Sequence, residues 1–132
     1  MSQHPDRAAA VAVEACLTRS GTPWRAVAEG EWGLRAEAAG WRLDIGLALR
    51  AGLLRAQAQV LSPGRADAHA LLHRNRRAEL VRLTHTGDGT VWVQGEIPAT
   101  APPLEADVDR LLGALVALAD DVRSAAGPES QR

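Results

Sequence analysis

Two histidines four residues apart, His69 and His73 in HALLH, are the nearest approach to a metal-binding pair in this chain. That spacing sets both imidazoles on one helix face, where they can grip a single ion. The motif lacks the glutamate of a zinc-protease helix and a third ligand is not evident, so the pair reads as exposed and unliganded. His85 falls on the apolar side of a strand opposite Val91 and reads as a histidine satisfied by hydrogen bonding at the sheet end. Cys16, the single cysteine, sits on an apolar helical stripe, where a small buried hydrophobe is expected rather than a reactive thiol. Serine, histidine and aspartate all occur, but no GxSxG-type motif gathers them. The glycine-rich piece TGDGT (86–90) lies between strands and does not open a helix, so it is no phosphate cradle. The expectation is a chain without catalytic residues, metal or cofactor.

Arginine and tryptophan offer more. Arg35, Arg42, Arg55 and Arg82 fall on one side of alternating segments, together with Gln57, Gln59, Gln94 and Trp92. Guanidinium groups interleaved with an indole can stack on and hold a single-stranded nucleic acid. Glu31, Glu37, Asp44 and Glu96 share that side and offset its charge, so a solvated or protein-contacting face is the preferred reading. Arg74, Arg76 and Arg77 form a second basic cluster, favourable at a helix C-terminus. Gly33 and Gly46 oppose one another and leave a patch without side chains, where a partner can approach closely.

The elements that position these residues follow from periodicity. In Trp41 to Leu61 every second residue is apolar (Trp41, Leu43, Ile45, Leu47, Leu49, then Leu54, Ala56, Ala58, Val60), with polar residues, glycine or alanine between. A period of two is a strand with one buried face. With Ala51-Gly52 as a two-residue turn, Ile45 faces Ala58 and Leu47 faces Ala56; a slip by one would bury Arg55 and Gln57. EWGLRAEA (31–38) alternates in the same way, and Ala39-Gly40 as its turn puts Trp32 against Leu47 and Leu34 against Ile45. That register also sets Glu37 beside Arg42 and Arg35 beside Asp44, cross-strand pairs of opposite charge. Residues 78–85 and 90–98 form a second hairpin around Gly87-Asp88-Gly89, pairing Leu83 with Val93 and turning Trp92 to the opposite face.

Three helices complete the pattern. The first, at about 5–20, carries Ala9, Val13, Cys16 and Leu17. A short one at 66–77 buries Ala68, Leu71 and Leu72. The strongest runs from Leu104 to Val122, with Leu104, Val108, Leu111, Leu115, Leu118 and Val122 in steps of four and three. Residues 22–30 read as a loop or extra turn carrying Trp24. The order α-βββ-α-ββ-α predicts an α+β domain over 1–124, with helices on one face of a five-stranded antiparallel sheet and 125–132 as a flexible tail.

At 132 residues and 46% hydrophobic content the chain is long enough for one domain with a real core. A net charge of −1 argues against a general polyanion binder. Lysine, phenylalanine and tyrosine are absent, which fits a GC-rich coding sequence and is not itself a functional signal. No apolar run reaches the length of a membrane span, the first helix is no convincing signal peptide, and one cysteine cannot build a disulfide framework, so the cytoplasm is the expected compartment.

The second half carries landmarks of a known family. Leu71-Leu72 followed by Asn75, the Gly87-Asp88-Gly89 hairpin running into Glu96-Ile97-Pro98, and a last helix with Leu111, Leu115 and Ala119-Asp120 resemble the YbjN-like family. That family shares the type III secretion chaperone fold, and the resemblance spans about residues 31–124. It departs at Leu83, where family members often have an aromatic residue, and secretion chaperones tend to be more acidic. The resemblance implies a small, non-enzymatic homodimer that binds a protein client; some relatives look associated with single-stranded-DNA-binding repair proteins. The partner-contacting residues expected on the open face are Gly33, Arg35, Gly46, Arg55, Arg82 and Trp92. The alternative is a direct nucleic-acid-binding module using that same Arg/Trp face.

Overall fold

The computed structural model of the chain describes residues 5–99 and 104–127. Residues 1–4 and 100–103, and residues 128–132 of the expected tail, lie outside the described residues. In chain order the elements are α1 (Pro5–Ser20), β1 (Trp24–Ala28), β2 (Glu31–Ala38), β3 (Trp41–Arg50), β4 (Leu53–Leu61), α2 (Ala68–Asn75), β5 (Val81–His85), β6 (Val91–Pro98) and α3 (Glu105–Ala126). The strands form one antiparallel sheet in the order β1-β2-β3-β4-β6-β5.

The central meander has the expected register: Trp32 opposes Leu47, Leu34 opposes Ile45, and Ile45 also opposes Ala58. Both tight turns place their two residues in the left-handed region, Ala39 and Gly40 at φ 55° and 86°, Ala51 and Gly52 at 52° and 79°. These are the dihedrals of the turn whose twist matches that of the flanking strands. The second hairpin pairs Leu83 with Val93 and His85 with Val91, also as expected.

Among the described residues the sheet has six strands, not five. The extra one is β1, drawn from the stretch that read as a loop or turn. Four of its five residues are exposed. An edge strand that buries so little carries no alternation to read. A second correction concerns the start of β5, at Val81 rather than Ala78: residues 76–78 continue the α2 coil as turns, and Leu80 takes φ 70° before the strand begins.

One face of the sheet is covered by helices. The α3 stripe of Leu104, Val108, Leu111, Leu115, Leu118 and Val122 is buried, as are Ala9, Val13, Cys16 and Leu17 of α1. Trp32, buried in the sheet, donates its indole N–H to Glu14 of α1 at 2.7 Å. The short α2 departs from expectation. Leu71 is buried but Leu72 is 66% exposed, and Ala68 is exposed. An eight-residue helix lying against the narrow β5 end of the sheet has room to bury only one ridge.

Polar groups fasten the last turns of α3 to the sheet. Arg123, only 3% exposed, sends Nε to the Val60 carbonyl at 2.9 Å and Nη1 to the carbonyls of Ala38 and Trp41 at 3.1 and 3.0 Å. Its guanidinium lies 3.3 Å from the Trp41 ring centroid, a cation–π contact. One turn earlier, Asp120 Oδ1 accepts the Ala39 N–H at 2.6 Å.

Arg123→Met keeps much of the apolar stem but strands the Val60, Ala38 and Trp41 carbonyls, and is expected to cost about 3 kcal/mol in urea unfolding. Arg123→Lys should recover only part, because an ammonium cannot reproduce the planar fork. At Gly95 on β6 an added Cβ would collide with the Leu80 carbonyl oxygen and stand 2.8 Å from Val81 Cγ1. Gly95→Ala is therefore expected to destabilise by about 1–3 kcal/mol. Gly46→Ala, whose Cβ would meet only the Gln57 oxygen at 4.0 Å, is expected to stay within about 0.5 kcal/mol of the native chain in the same measurement.

Candidate partner-binding face

The face of the sheet away from α1 and α3 gathers the polar half of every strand. Successive register pairs connect Arg25 to Gly33, Gly33 to Gly46, Gly46 to Gln57, Gln57 to Gln94, and Gln94 to Arg82. One row thus crosses the whole sheet, small and uncharged in the middle, with an arginine on each edge strand. A flanking row carries Ala48, Arg55 and Glu96; the other carries Gln59, Trp92 and Thr84. Gly33, Arg35, Gly46, Arg55, Arg82 and Trp92 all lie on this face, as the alternation required.

The glycine patch is smaller than the sequence implied. A Cβ at Gly33 would meet Val27 Cγ2 at 3.5 Å and Arg25 Nε at 4.0 Å, so side chains of β1 roof that half. Gly46 is exposed. β1, unrecognised as a strand, supplies that cover.

Charges on this face are largely internally matched, though not in the expected partnerships. Glu37 opposes Arg42 and Arg35 opposes Asp44 along the backbone. The ion pair that forms is Arg42 Nε with Asp44 Oδ1 at 2.8 Å, two residues apart on one strand. Both side chains are more than half exposed, so each rotates freely enough to choose the nearer partner. Arg55 pairs with Glu96 at 3.1 Å, and Arg50 with Glu31. The side chains of Arg25, Arg35 and Arg82 have no ion pair among the described residues. Half-buried Trp92 has its indole Nε1 out of reach of water and without a hydrogen-bond partner among the described residues.

The two sheet edges differ. On β5 the Asn75 side chain donates to the Leu83 carbonyl at 3.0 Å and accepts the Leu83 N–H at 2.7 Å. Its amide substitutes for a neighbouring strand and closes the middle of that edge. On β1 the Arg35 N–H reaches the Pro23 carbonyl at 3.2 Å. By the alternation of antiparallel bonds, Arg25 then bonds to Gly33, while Trp24 and Ala26 turn their main-chain groups outward. Beside this edge a cleft of about 420 Å³ is lined by Pro23, Trp24, Arg25, Gly33, Arg35 and Arg42, among others. The sequence did not reveal the roles of Arg25, Asn75 or Arg123. For Asn75 and Arg123 the partners are main-chain groups, which leave no residue-type signal; for Arg25, recognising β1 would have been enough.

The groups considered for chemistry are dispersed. His69 and His73 are both exposed, and only His73 borders a cleft of about 590 Å³ between α2, the start of β5 and α3. His85 is exposed rather than buried, its Nδ1 2.9 Å from the Thr86 carbonyl, because the helical layer does not extend over that end of β5. In the β5–β6 turn, Asp88 takes the Thr86 hydroxyl at 2.5 Å and the Thr90 N–H at 2.9 Å, which holds its carboxyl down at about 2. Among the described residues no group of three or more His, Cys, Asp or Glu is arranged to hold a metal ion. No described helix is long and apolar enough to cross a membrane.

Among the described residues, the three helices and six-stranded antiparallel sheet form a fold similar to that of a type III secretion chaperone. The chain is similar to the Yersinia pestis type III secretion chaperone SycH, solved as a crystal structure in complex with a stable fragment of YscM2. The match has TM-score 0.63 and 15% identity and covers 87% of this chain and 99% of that one. No protein-family model and no curated protein sequence matches the chain.

Cys16, 1% exposed, lies 3.2 Å from Asp109 Oδ1. Burial first, then the hydrogen bond to Asp109 and its charge, push the thiol up from 9.0 to about 11. Thiolate at pH 8 is thereby about a hundredfold scarcer than in the unfolded chain. Alkylation by iodoacetamide at pH 8 should be slower than in urea by at least that factor.

Proposed function

We propose that this protein is a non-catalytic, chaperone-like adaptor that holds a protein client on the uncovered face of its sheet and works as a cytoplasmic homodimer. The observation that carries the reading is the single face on which Gly46, Arg55, Arg82 and Trp92 come together with Gly33 and Arg35. Of the four tryptophans, the only aromatic residues in the chain, Trp32 alone is in the core; Trp24, Trp41 and Trp92 are half-buried. Half-buried indoles and arginines are the side chains most enriched at binding hot spots.

The likeness to SycH supports this reading, because that chaperone was solved with a protein fragment in complex. The landmarks around Asn75, Glu96-Ile97-Pro98 and Ala119-Asp120 extend it to a YbjN-like adaptor, with a single-stranded-DNA-binding repair protein as the client to test first. Exposed Leu72 on α2 and Val11 on α1 are apolar surface available to a second copy.

Affinity capture from the native cell identifies the client, and calorimetry then measures it. Trp92→Ala is expected to weaken client binding by about 2 kcal/mol, while light scattering gives a dimer mass for native and variant chains alike. Unchanged affinity in Trp92→Ala and Arg82→Ala would exclude the face, and a monomer mass would remove the dimer.

A further inference from the structure

Resting on that reading, we infer that the client segment is acidic and extended, and that it docks along the open edge of β1 with its carboxylates on Arg25 and Arg35. The inference starts from the inequality of the two sheet edges. Asn75 already occupies both main-chain groups of Leu83, so a strand added to β5 would first have to displace a side-chain amide. β1 has no such cover among the described residues: Arg25, Ala26, Val27 and Ala28 are all exposed, and the groups of Trp24 and Ala26 face outward. An extended segment can pair with those groups as a further strand.

Charge selects the kind of segment. Arg42, Arg50 and Arg55 each have a carboxylate on this face, but Arg25 and Arg35 do not, and both line the cleft that follows the β1–β2 pair. A guanidinium satisfies a carboxylate through two parallel N–H···O bonds, which a strand with acidic residues at alternate positions can offer to both arginines. Gly46, exposed next to Gly33 in the same row, gives such side chains room to lie down on the sheet. A nucleic acid is the poorer fit. The cleft also contains Asp44 and the face carries Glu31, Glu37 and Glu96, carboxylates that a backbone with a phosphate at every nucleotide would have to pass, whereas a peptide strand can place its acidic residues on Arg25 and Arg35 alone.

The test uses the full-length protein and a fluorescein-labelled ten-residue peptide of alternating glutamate and valine. Controls are the same peptide with lysine for glutamate, and labelled oligothymidylate. Polarisation should show the acidic peptide binding, weakening with salt, and the lysine peptide not binding. Arg25→Glu with Arg35→Glu should reduce that affinity at least tenfold, and Arg110→Glu, on the exposed side of α3, should leave it within twofold. Ala26→Pro removes one outward N–H from an edge strand, a position that tolerates proline, so the sheet should remain intact by circular dichroism while peptide affinity falls at least tenfold. Failure of the native chain to bind the acidic peptide, unchanged affinity in either β1 variant, or binding of oligothymidylate in preference to the peptide would each overturn the inference. A natural client that depends on Trp92 but is insensitive to the β1 variants would leave the adaptor reading standing and remove only the edge.

Discussion

The guanidinium of Arg123 is the point at which helix and sheet are locked together. A buried cation needs acceptors in several directions at once, and Arg123 has the carbonyls of Ala38, Trp41 and Val60 from β2, β3 and β4, with the Trp41 ring packed on its face. Three strand ends are thereby held at fixed distances from the last turns of α3. Asp120 adds the Ala39 N–H, so the same stretch of helix also fixes a turn whose alanine sits at φ 55°. An alanine is held there against its own preference. At the other end of the helix layer Glu14 receives the Trp32 indole, and Arg19 of α1 meets Glu105 of α3. The apolar stripes supply most of the attraction between layers, but they are tolerant of sliding. The directional contacts at both ends choose one position.

Once the helices are fixed on one side, the sheet has two inequivalent faces and two inequivalent edges. The covered face holds nearly all the large apolar side chains. The uncovered face is polar and only modestly positive, since Arg42, Arg50 and Arg55 are matched by Asp44, Glu31 and Glu96. Exposed pairs of this kind contribute little to stability. They keep the face soluble while lowering its appeal to a generic polyanion. Against that background the arginines without partners and the half-buried Trp92 stand out as places where another chain gains more than water does. Asn75 imposes the second asymmetry, between a guarded edge and an open one.

The sequence by itself determined the meander, the second hairpin and the two long helices, because each depends on a periodicity that burial enforces. A one-residue slip in β3 or β4 would bury Arg55 and Gln57, so apolar alternation and turn length together admit a single register. The same logic placed Gly33, Arg35, Gly46, Arg55, Arg82 and Trp92 on one face. Tertiary structure alone decided the features that burial does not encode. β1 is a strand because β2 offers it main-chain groups, and with four of five residues exposed it has no pattern to announce this. Leu72 is outside because α2 meets only the narrow end of the sheet. Asp44 pairs with Arg42 rather than Arg35 because exposed side chains follow rotamer and distance, not Cα register. Arg123 and Asn75 bind main-chain carbonyls and amides, which every residue carries, so a line of residue types holds no record of which ones they reach.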